Sequence, residues 1–211
     1  MKISPSILDA DFSKLGAELD SIKTADRIHL DVMDHNFVPN LSFGYPVLKN
    51  IKFPVETEAH LMVENPEKYF DDFSKLDKII GITFHIENTL DRAVELLKNI
   101  QTRGLKAGIT VNGKTDVSIL SDEVLEATDK ILLMSVQAGF GGQAFMPEVY
   151  DKIKSLRSRG FKGEIEVDGG CTLNNAAQLK EAGADILVVG SFLMKKPAED
   201  RAGIIEEFQG V

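Results

Sequence analysis

The chain has 211 residues, of which 43% are hydrophobic and 27% are charged. This composition is typical of a globular protein, and the length suffices for one domain with a sizeable buried core. Its 24 basic and 33 acidic side chains leave a net charge of −9, which argues against a nucleic-acid-binding surface and against an anchor on anionic membranes. The single cysteine, Cys171, excludes a disulfide framework and a cysteine zinc cluster.

The first residues do not have the pattern of a targeting segment. A short apolar run ends at Leu8 and is followed by Asp9 and Asp11, unlike a signal or transit peptide. No run approaches the ~18 apolar residues that a membrane-spanning helix needs. We therefore expect a soluble cytoplasmic protein that binds neither nucleic acid nor a membrane.

Strand-like and helical patterns alternate along the whole chain. Eight strands are predicted, at residues 2–8, 27–33, 55–62, 78–85, 105–111, 130–136, 164–168 and 184–190. A helix is predicted after each of them, from a cap at Asp11 or Ser13 to residue 22 and then near residues 45–51, 66–74, 88–100, 115–127, 147–156, 172–181 and 198–208. The fourth helix has the clearest apolar face, and we expect Asn88 to cap it.

This alternation predicts the fold class. Strands that alternate with helices pair in parallel through right-handed crossovers. Eight such units in about 200 residues predict a single-domain (β/α)8 TIM barrel covering residues 1–211, with an open doubly wound sheet as the alternative. In a barrel, functional residues come from the C-terminal ends of the strands.

Chemically active side chains collect at these predicted strand ends. His29, Asp31 and Met33 alternate along the second strand and therefore share one face. His60 lies on the third strand and Asp168 ends the seventh. In a barrel these two imidazoles and two carboxylates point into one space, a donor set that suits zinc, iron, manganese or cobalt better than calcium or magnesium. Taken alone, Asp31 is also consistent with a cap and Asp168 with a turn.

Three glycine-containing loops follow the sixth, seventh and eighth strands. They are Gly139-Phe-Gly-Gly-Gln143, Gly169-Gly170 and Gly190-Ser191. Glycine lets backbone N–H groups approach an anion, and the loops after strands seven and eight form the usual phosphate site of this fold. Each loop by itself is also consistent with a tight turn, but together they predict a phosphorylated ligand.

In its motifs the chain resembles the ribulose-phosphate 3-epimerase family over nearly its whole length. The motifs are Ser4-Pro-Ser-Ile-Leu8, His29-Leu-Asp-Val-Met-Asp34, Phe37-Val-Pro-Asn40, His60-Leu-Met62, Gly139-Phe-Gly-Gly-Gln143, Glu166-Val-Asp-Gly-Gly170 and Gly190-Ser191. The resemblance implies a homo-oligomeric barrel enzyme that inverts carbon 3 of a ketopentose 5-phosphate. It would interconvert D-ribulose and D-xylulose 5-phosphates through an enediolate stabilised by a divalent metal.

The resemblance also implies roles for individual residues. By position, His29, Asp31, His60 and Asp168 would hold one divalent metal ion, and Asp31 and Asp168 would act as acid and base on opposite faces of the substrate. The other residues implied at the substrate or its phosphate are Ser6, Met33, Met62, Met134, Gly139, Gly141, Gly142, Gly169, Gly170, Gly190 and Ser191.

The chain departs from the family pattern at four places, namely His35-Asn36, Gly113, Gln137-Ala138 and Cys171. The family usually has Gly-His at the first place, so we expect His35 to alter the loop backbone and to bring a polar ring towards the site. Because these loops contact the sugar, a D-allulose 6-phosphate 3-epimerase is a close alternative.

Two further alternatives come from other functional classes. A phosphate-binding lyase such as orotidine phosphate decarboxylase would carry an Asp-x-Lys-x-x-Asp signature, which is absent here. A non-catalytic sugar-phosphate-binding barrel would not need two facing carboxylates.

Overall fold

The computed structural model describes residues 1–211, and its eight strands all run parallel. The strands are β1 (Lys2–Pro5), β2 (Arg27–Met33), β3 (Glu56–Met62), β4 (Ile79–His85), β5 (Lys106–Val111), β6 (Lys130–Met134), β7 (Glu164–Asp168) and β8 (Ile186–Val189). Strands β2 and β7 match their predicted bounds residue for residue, and the others are shorter than predicted.

The sheet closes on itself between its first two strands. The strands pair in the order β1-β8-β7-β6-β5-β4-β3-β2. Ser6 then forms a parallel bridge with His29, and the N–H of Ile7 donates to the carbonyl of His29 over 3.3 Å. A closed cylinder of eight parallel strands connected by helices is a (β/α)8 barrel. The predicted fold class is confirmed, and the open-sheet alternative is wrong.

Nine helices connect the strands or follow the last one. They are α1 (Leu15–Asp20), α2 (Tyr45–Leu48), α3 (Glu67–Phe73), α4 (Ala93–Gln101), α5 (Asp122–Ala127), α6 (Val149–Ser158), α7 (Leu173–Ala182), α8 (Ser191–Met194) and α9 (Ala198–Gly210). The short helix α8 was not predicted, because its single turn is too brief to show a helical period. None of the nine is both long and apolar enough to cross a membrane.

The predicted cap at Asp11 is confirmed by its hydrogen bond. The Asp11 carboxylate accepts the N–H of Ser13 over 3.0 Å, at the 3-10 turn that leads into α1. At the start of α7 the N–H of Thr172 donates to the side-chain oxygen of Asn175 over 2.8 Å, as in a capping box. A side-chain acceptor at this position satisfies an N–H group that has no partner inside the helix.

Two predicted helix starts are wrong. The Asn88 side chain caps no helix; its amide donates instead to two carbonyls in the loop after β3, over 3.0 and 2.9 Å. The helix itself, α4, begins only at Ala93. The helix predicted from residue 115, after β5, also begins later. The Ser121 hydroxyl accepts the N–H of Val124 and caps α5, which begins at Asp122.

Successive side chains of β2 point to opposite faces of the sheet, so the apolar core residues lie on one face and the polar residues on the other. On β2, Ile28, Leu30 and Val32 belong to the buried apolar cluster of 49 residues. The alternate residues His29 and Asp31 point the other way, into the barrel. The same sequence segment thus stabilises the fold on one face and supplies polar groups on the other.

The interior ion cluster, formed by Arg27, Glu58, Lys130, Glu164 and Glu166, lies inside the barrel. The ammonium of Lys130 lies 2.6 Å from a carboxylate oxygen of Glu58 and 2.6 Å from one of Glu166. Arg27 contacts Glu58 over 3.4 Å and Glu164 over 2.9 Å. Buried charges are tolerated only when they are paired, and here each acidic side chain has a basic partner.

Candidate active site

A cavity of about 320 Å³ lies at the C-terminal ends of the strands. This is the end at which enzymes with this fold build their active sites. Most of the site residues predicted from the sequence line it, namely Ser6, Asp31, Met33, Met62, Met134, Gly139, Gly141, Gly142, Asp168, Gly169, Gly170, Gly190 and Ser191. The remaining two, His29 and His60, have fully buried side chains in contact with Asp31.

The register of the sheet brings the four predicted metal ligands together. Asp31 on β2 is paired with His60 on β3. His29 stands two residues before Asp31, on the same face of β2. Asp168 is the last residue of β7, on the other side of the barrel. One ligand atom from each of the four lies within 4.8 Å of the others.

The individual distances describe a compact group of donors around Asp31. Its Oδ1 atom lies 3.1 Å from Nδ1 of His60 and 3.4 Å from Nε2 of His29. The same His60 nitrogen lies 3.8 Å from Oδ2 of Asp168. The second Asp31 oxygen accepts a hydrogen bond of 2.5 Å from the Ser6 hydroxyl.

This donor group fits a divalent metal ion. Nε2 of His29 is buried and makes no hydrogen bond, so this nitrogen is available as a metal ligand beside the carboxylates of Asp31 and Asp168. Two imidazoles and two carboxylates are ligands that first-row transition metals and zinc accept. The structure therefore supports the coarse prediction of a metal-binding cluster, whereas the identity of the metal depends on supply as well as geometry.

The two cavity carboxylates have opposite protonation preferences. Burial raises the pKa of Asp168 to about 7, with the negative charge of Asp31 acting in the same direction. Burial also acts to raise the pKa of Asp31, but the neighbouring imidazoles of His29 and His60 outweigh it and hold that pKa far below its usual range. Two carboxyl groups whose pKa values are driven apart are suited to opposite roles in proton transfer.

The outer nitrogen of each buried imidazole also has a partner. Nδ1 of His29 lies 3.4 Å from a carboxylate oxygen of Glu58. Nε2 of His60 lies 3.0 Å from Nε2 of His85, whose Nδ1 lies 3.1 Å from Glu87. The sequence analysis assigned no role to Glu58 or Glu87. Their spacing was the available signal, since Glu58 lies two residues before His60 on β3 and Glu87 lies two residues after His85.

Apolar side chains and glycine loops form the walls of the cavity. Met33, Met62 and Met134 all line it and are only 2–3% exposed, so they exclude water from the carboxylates. Residues of the loops after β6, β7 and β8 also line the cavity. At Gly169 and Gly170 the backbone has φ values of 113° and 64°, a left-handed conformation that favours glycine.

The comparison with known proteins agrees with this site. A sequence model of the ribulose-phosphate 3-epimerase family matches residues 2–194. This chain belongs to the ribulose-phosphate 3-epimerase family. It is 44% identical over 214 residues to the Synechocystis sp. protein named ribulose-phosphate 3-epimerase, covering 96% of this chain and 92% of that one. It is 41% identical over 218 residues to the Escherichia coli protein of the same name, covering 98% and 94% of the two chains.

Solved structures of more distant proteins share the barrel. A 3-hexulose-6-phosphate synthase superposes with a TM-score of 0.71 at 13% identity, covering 100% of this chain and 99% of the other. The tryptophan synthase α-subunit of Pyrococcus furiosus superposes with a TM-score of 0.69 at 17% identity, covering 100% and 98%. At such low identity these matches show the fold alone.

The loop after β2 is where we expected His35 to bring a polar ring towards the site, and that expectation is wrong. His35 has a φ of 63°, so it occupies a left-handed conformation that a glycine adopts easily. Its side chain is exposed and does not line the cavity. Asp34 organises the turn instead, accepting the N–H groups of Asn36 and Phe37 over 2.9 and 3.0 Å.

Two other departures from the family pattern, Gly113 and Gln137-Ala138, lie in the loops after β5 and β6. The amide oxygen of Asn112 accepts the N–H of Ala138 over 3.1 Å. A side-chain carbon on Gly113 would lie 2.4 Å from the carbonyl of Val136. Glycine at this position therefore permits a close backbone approach between the loops after β5 and β6. Cys171 is buried beside the cavity, where burial raises the pKa of its thiol well above the usual value.

Proposed function

We propose that this chain is a ribulose-phosphate 3-epimerase, an isomerase that interconverts D-ribulose 5-phosphate and D-xylulose 5-phosphate. One observation carries the proposal: the carboxylates of Asp31 and Asp168, with opposed pKa shifts, face one cavity from strands on different sides of the barrel. The names of the relatives at 44% and 41% identity supply the substrate. A binding protein or a lyase would not require this pair.

The proton chemistry follows from these two carboxylates. The hydrogen on carbon 3 lies next to the carbon 2 ketone, so its removal gives an enediolate. Asp31, whose pKa is low, is ionised and takes this proton from one face of the sugar. Asp168, whose pKa of about 7 lets it hold a proton at neutral pH, delivers one to the opposite face and so inverts the centre. In the reverse direction the two residues exchange roles.

The proposal includes one divalent metal held by His29, Asp31, His60 and Asp168. Two observations support this assignment: the buried Nε2 of His29 makes no hydrogen bond, and the ligand atoms of the four side chains lie close together. When bound, a zinc, iron, manganese or cobalt ion would stabilise the negative charge that develops on the oxygens of the substrate. Treatment with a chelator should abolish turnover, and adding back a single metal should restore it.

The glycine loops after β6, β7 and β8 are the proposed phosphate site. Gly142, Gly170, Gly190 and Ser191 line the cavity, and backbone N–H groups at such residues would bind phosphate without a cationic side chain. The three methionines and Ser6 line the same cavity, where they would contact the sugar.

Solvent isotope exchange tests the proton-transfer roles. In deuterium oxide, the wild-type enzyme should incorporate deuterium at carbon 3 of recovered substrate. Asp31→Asn and Asp168→Asn should each lower the turnover rate by roughly 10²–10⁴-fold, because each removes one group that carries the proton. Asp122→Asn makes the same change at a site that is 91% exposed and should leave turnover intact. Normal exchange and turnover in either cavity variant would remove that residue from the pair.

A second assay tests the substrate. The proposal predicts that D-ribulose 5-phosphate is turned over with a much higher kcat/KM than D-allulose 6-phosphate. Equal or reversed values would replace the pentulose by the hexulose as the natural substrate, while leaving the proton-transfer roles unchanged.

Self-association is also part of the proposal. Leu41 and Val47 are 68% and 53% exposed, and Phe12, which is 39% exposed, packs on Phe43. Exposed apolar groups of this kind are typical of an interface between subunits. Sedimentation should show an oligomer, and Leu41→Asp should shift it towards the monomer; a monomeric wild-type protein would contradict this part.

A further inference from the structure

The β6 loop, residues 137–145 in the connection from β6 to α6, is crossed by the side chain of one of its own residues, Gln143. Nε2 of Gln143 donates to the carbonyl oxygen of Gln137 over 2.6 Å and to that of Phe140 over 2.8 Å. Both acceptors are carbonyls, so the amide presents its NH2 group to them and its oxygen elsewhere. The two bonds use both hydrogens of that group and tie the end of the loop to its start and its middle.

Two asparagines on other loops hold the first half of the β6 loop. Nδ2 of Asn40, in the loop after β2, donates to the carbonyl oxygen of Gly139 over 2.6 Å. Oδ1 of Asn112, which follows β5, accepts the N–H of Ala138 over 3.1 Å. Together with Gln143, side-chain amides therefore bind three of the carbonyl oxygens in this loop.

The backbone N–H groups of the β6 loop have no such partners. None of the N–H groups of residues 139–145 donates to a backbone carbonyl of the chain. Gly139, Gly141 and Gly142 have no side chains to shield these groups, and all three residues line the cavity. Carbonyl oxygens repel an anion and N–H groups attract it. A loop whose carbonyls are bound by amides and whose consecutive N–H groups are free is therefore suited to bind phosphate.

We propose that Gln143 is a positioning residue that turns carbonyls of the β6 loop away from the phosphate of the substrate, so that the N–H groups of the loop bind it. The inference deepens the phosphate site of the proposed function and rests on it. Gln143 also lines the cavity, but both its amide hydrogens are used within the loop, so it acts through the backbone. Without this amide, the carbonyls of Gln137 and Phe140 have no hydrogen-bond donor in the chain and are free to turn towards the anion.

Glycine amide spectra of the wild-type protein test the site, with inorganic phosphate as the probe. The chain has 17 glycines, so 1H–15N spectra of protein labelled at glycine nitrogens are simple enough to follow each one. Phosphate should shift the signals of Gly141 and Gly142. It should leave those of Gly160 and Gly183, which lie in the turns leading into β7 and β8 at the other end of the barrel, unchanged. No binding, or binding that leaves the signals of the β6 loop in place, would overturn the proposal.

Gln143→Met is the matched perturbation, because methionine has a similar length but no N–H group. The Kd for inorganic phosphate, taken from the same shifts, should rise by roughly 10-fold, since the hydrogen bonds that orient two carbonyls are lost. Gln178→Met makes the same change on α7, where Gln178 is exposed and accepts the hydroxyl of Tyr150 over 3.1 Å. This control should keep the wild-type Kd. An unchanged Kd in Gln143→Met, or an equal rise in both variants, would refute the role of Gln143.

Two further readouts separate positioning from a general loss of structure. In Gln143→Met the signals of Gly160 and Gly183 should keep their wild-type positions, which shows that the barrel is intact. In turnover, KM should rise by roughly 10-fold and kcat should change less, as expected when an interaction with a non-reacting group of the substrate is weakened. A fall in kcat at unchanged KM would contradict the proposal. Because the phosphate titration needs no turnover, an absence of epimerase activity would leave its result standing.

Discussion

Replacing Lys130 by methionine tests how strongly the interior ion cluster depends on its central cation. The variant keeps a flexible apolar side chain but removes the charge that lies 2.6 Å from both Glu58 and Glu166. Lys130, Glu58 and Glu166 are at most 3% exposed, so water does not replace the lost partner. Breaking a buried ion pair from one side typically costs about 3–5 kcal/mol, because the remaining charge is left uncompensated.

Two features of the cluster place the cost at the lower end of that range. Arg27 remains 3.4 Å from Glu58 and compensates part of its charge. Burial raises the pKa of Glu166 to about 8, together with the facing charge of Glu58 and in spite of Lys130, so Glu166 already holds a proton at neutral pH. We expect the free energy of unfolding to fall by about 3 kcal/mol and Tm to fall by roughly 6–12 °C for a chain of this size.

Urea denaturation followed by circular dichroism measures the effect at neutral and at mildly acidic pH. Without Lys130 the pKa of Glu166, which is already raised, rises further, and the lowered pKa of Glu58 loses one of the causes that hold it down. A raised folded-state pKa stabilises the protein below the unfolded-state pKa, and this contribution is lost as pH rises. The deficit of the variant should therefore grow with pH. Lys106→Met is the control, since Lys106 is 51% exposed and 3.3 Å from Glu164, and it should cost less than about 1 kcal/mol. Equal losses in the two variants would refute the reasoning.

Three further substitutions test other parts of the structure. Basic neighbours lower the pKa of Glu164 from 4.5 to about 2 against the effect of burial, so its stabilisation is present above pH 4.5 and lost as pH falls towards 2. Glu164→Gln should remove about 1–2 kcal/mol of that acid-dependent stability, because solvent screens the pairs of this half-exposed carboxylate, and an unchanged acid unfolding curve would contradict this. Gly169→Ala places a carbon 2.5 Å from Val136 at a φ of 113° and should cost about 1–3 kcal/mol in urea unfolding, whereas wild-type stability would show that the loop adapts. Asn40→Ala removes a 2.6 Å hydrogen bond to the carbonyl of Gly139 and should raise KM about 2- to 10-fold; an unchanged KM would mean that this link does not shape the sugar site.

The local helix predictions show where sequence patterns fail. Asn88 has the residue type of a helix cap, but its amide is used by the loop after β3. Leu90 belongs to an apolar helical pattern, yet it is 49% exposed because α4 begins only at Ala93. A cap residue and an apolar period show that a segment can form a helix. Contacts with the rest of the protein determine where that helix begins.

The barrel and most of the site were determined by the sequence itself. Strands that alternate with helices eight times predicted a parallel barrel, and the closed strand pairing then excluded the open sheet. Once the strands are aligned in parallel, His29 and Asp31 on one strand and His60 on the next are neighbours, because the register of the sheet is regular. The motifs therefore predicted which side chains share one space.

The pKa values of these side chains follow from their surroundings in three dimensions. Asp31 and Asp168 are the same residue type, yet their pKa values move in opposite directions because imidazoles surround Asp31 whereas burial and a facing charge act on Asp168. Lys130 and Glu58 are 72 positions apart but touch inside the barrel. Electrostatic shifts depend on distances and burial in three dimensions, which hydrophobic periodicity does not encode.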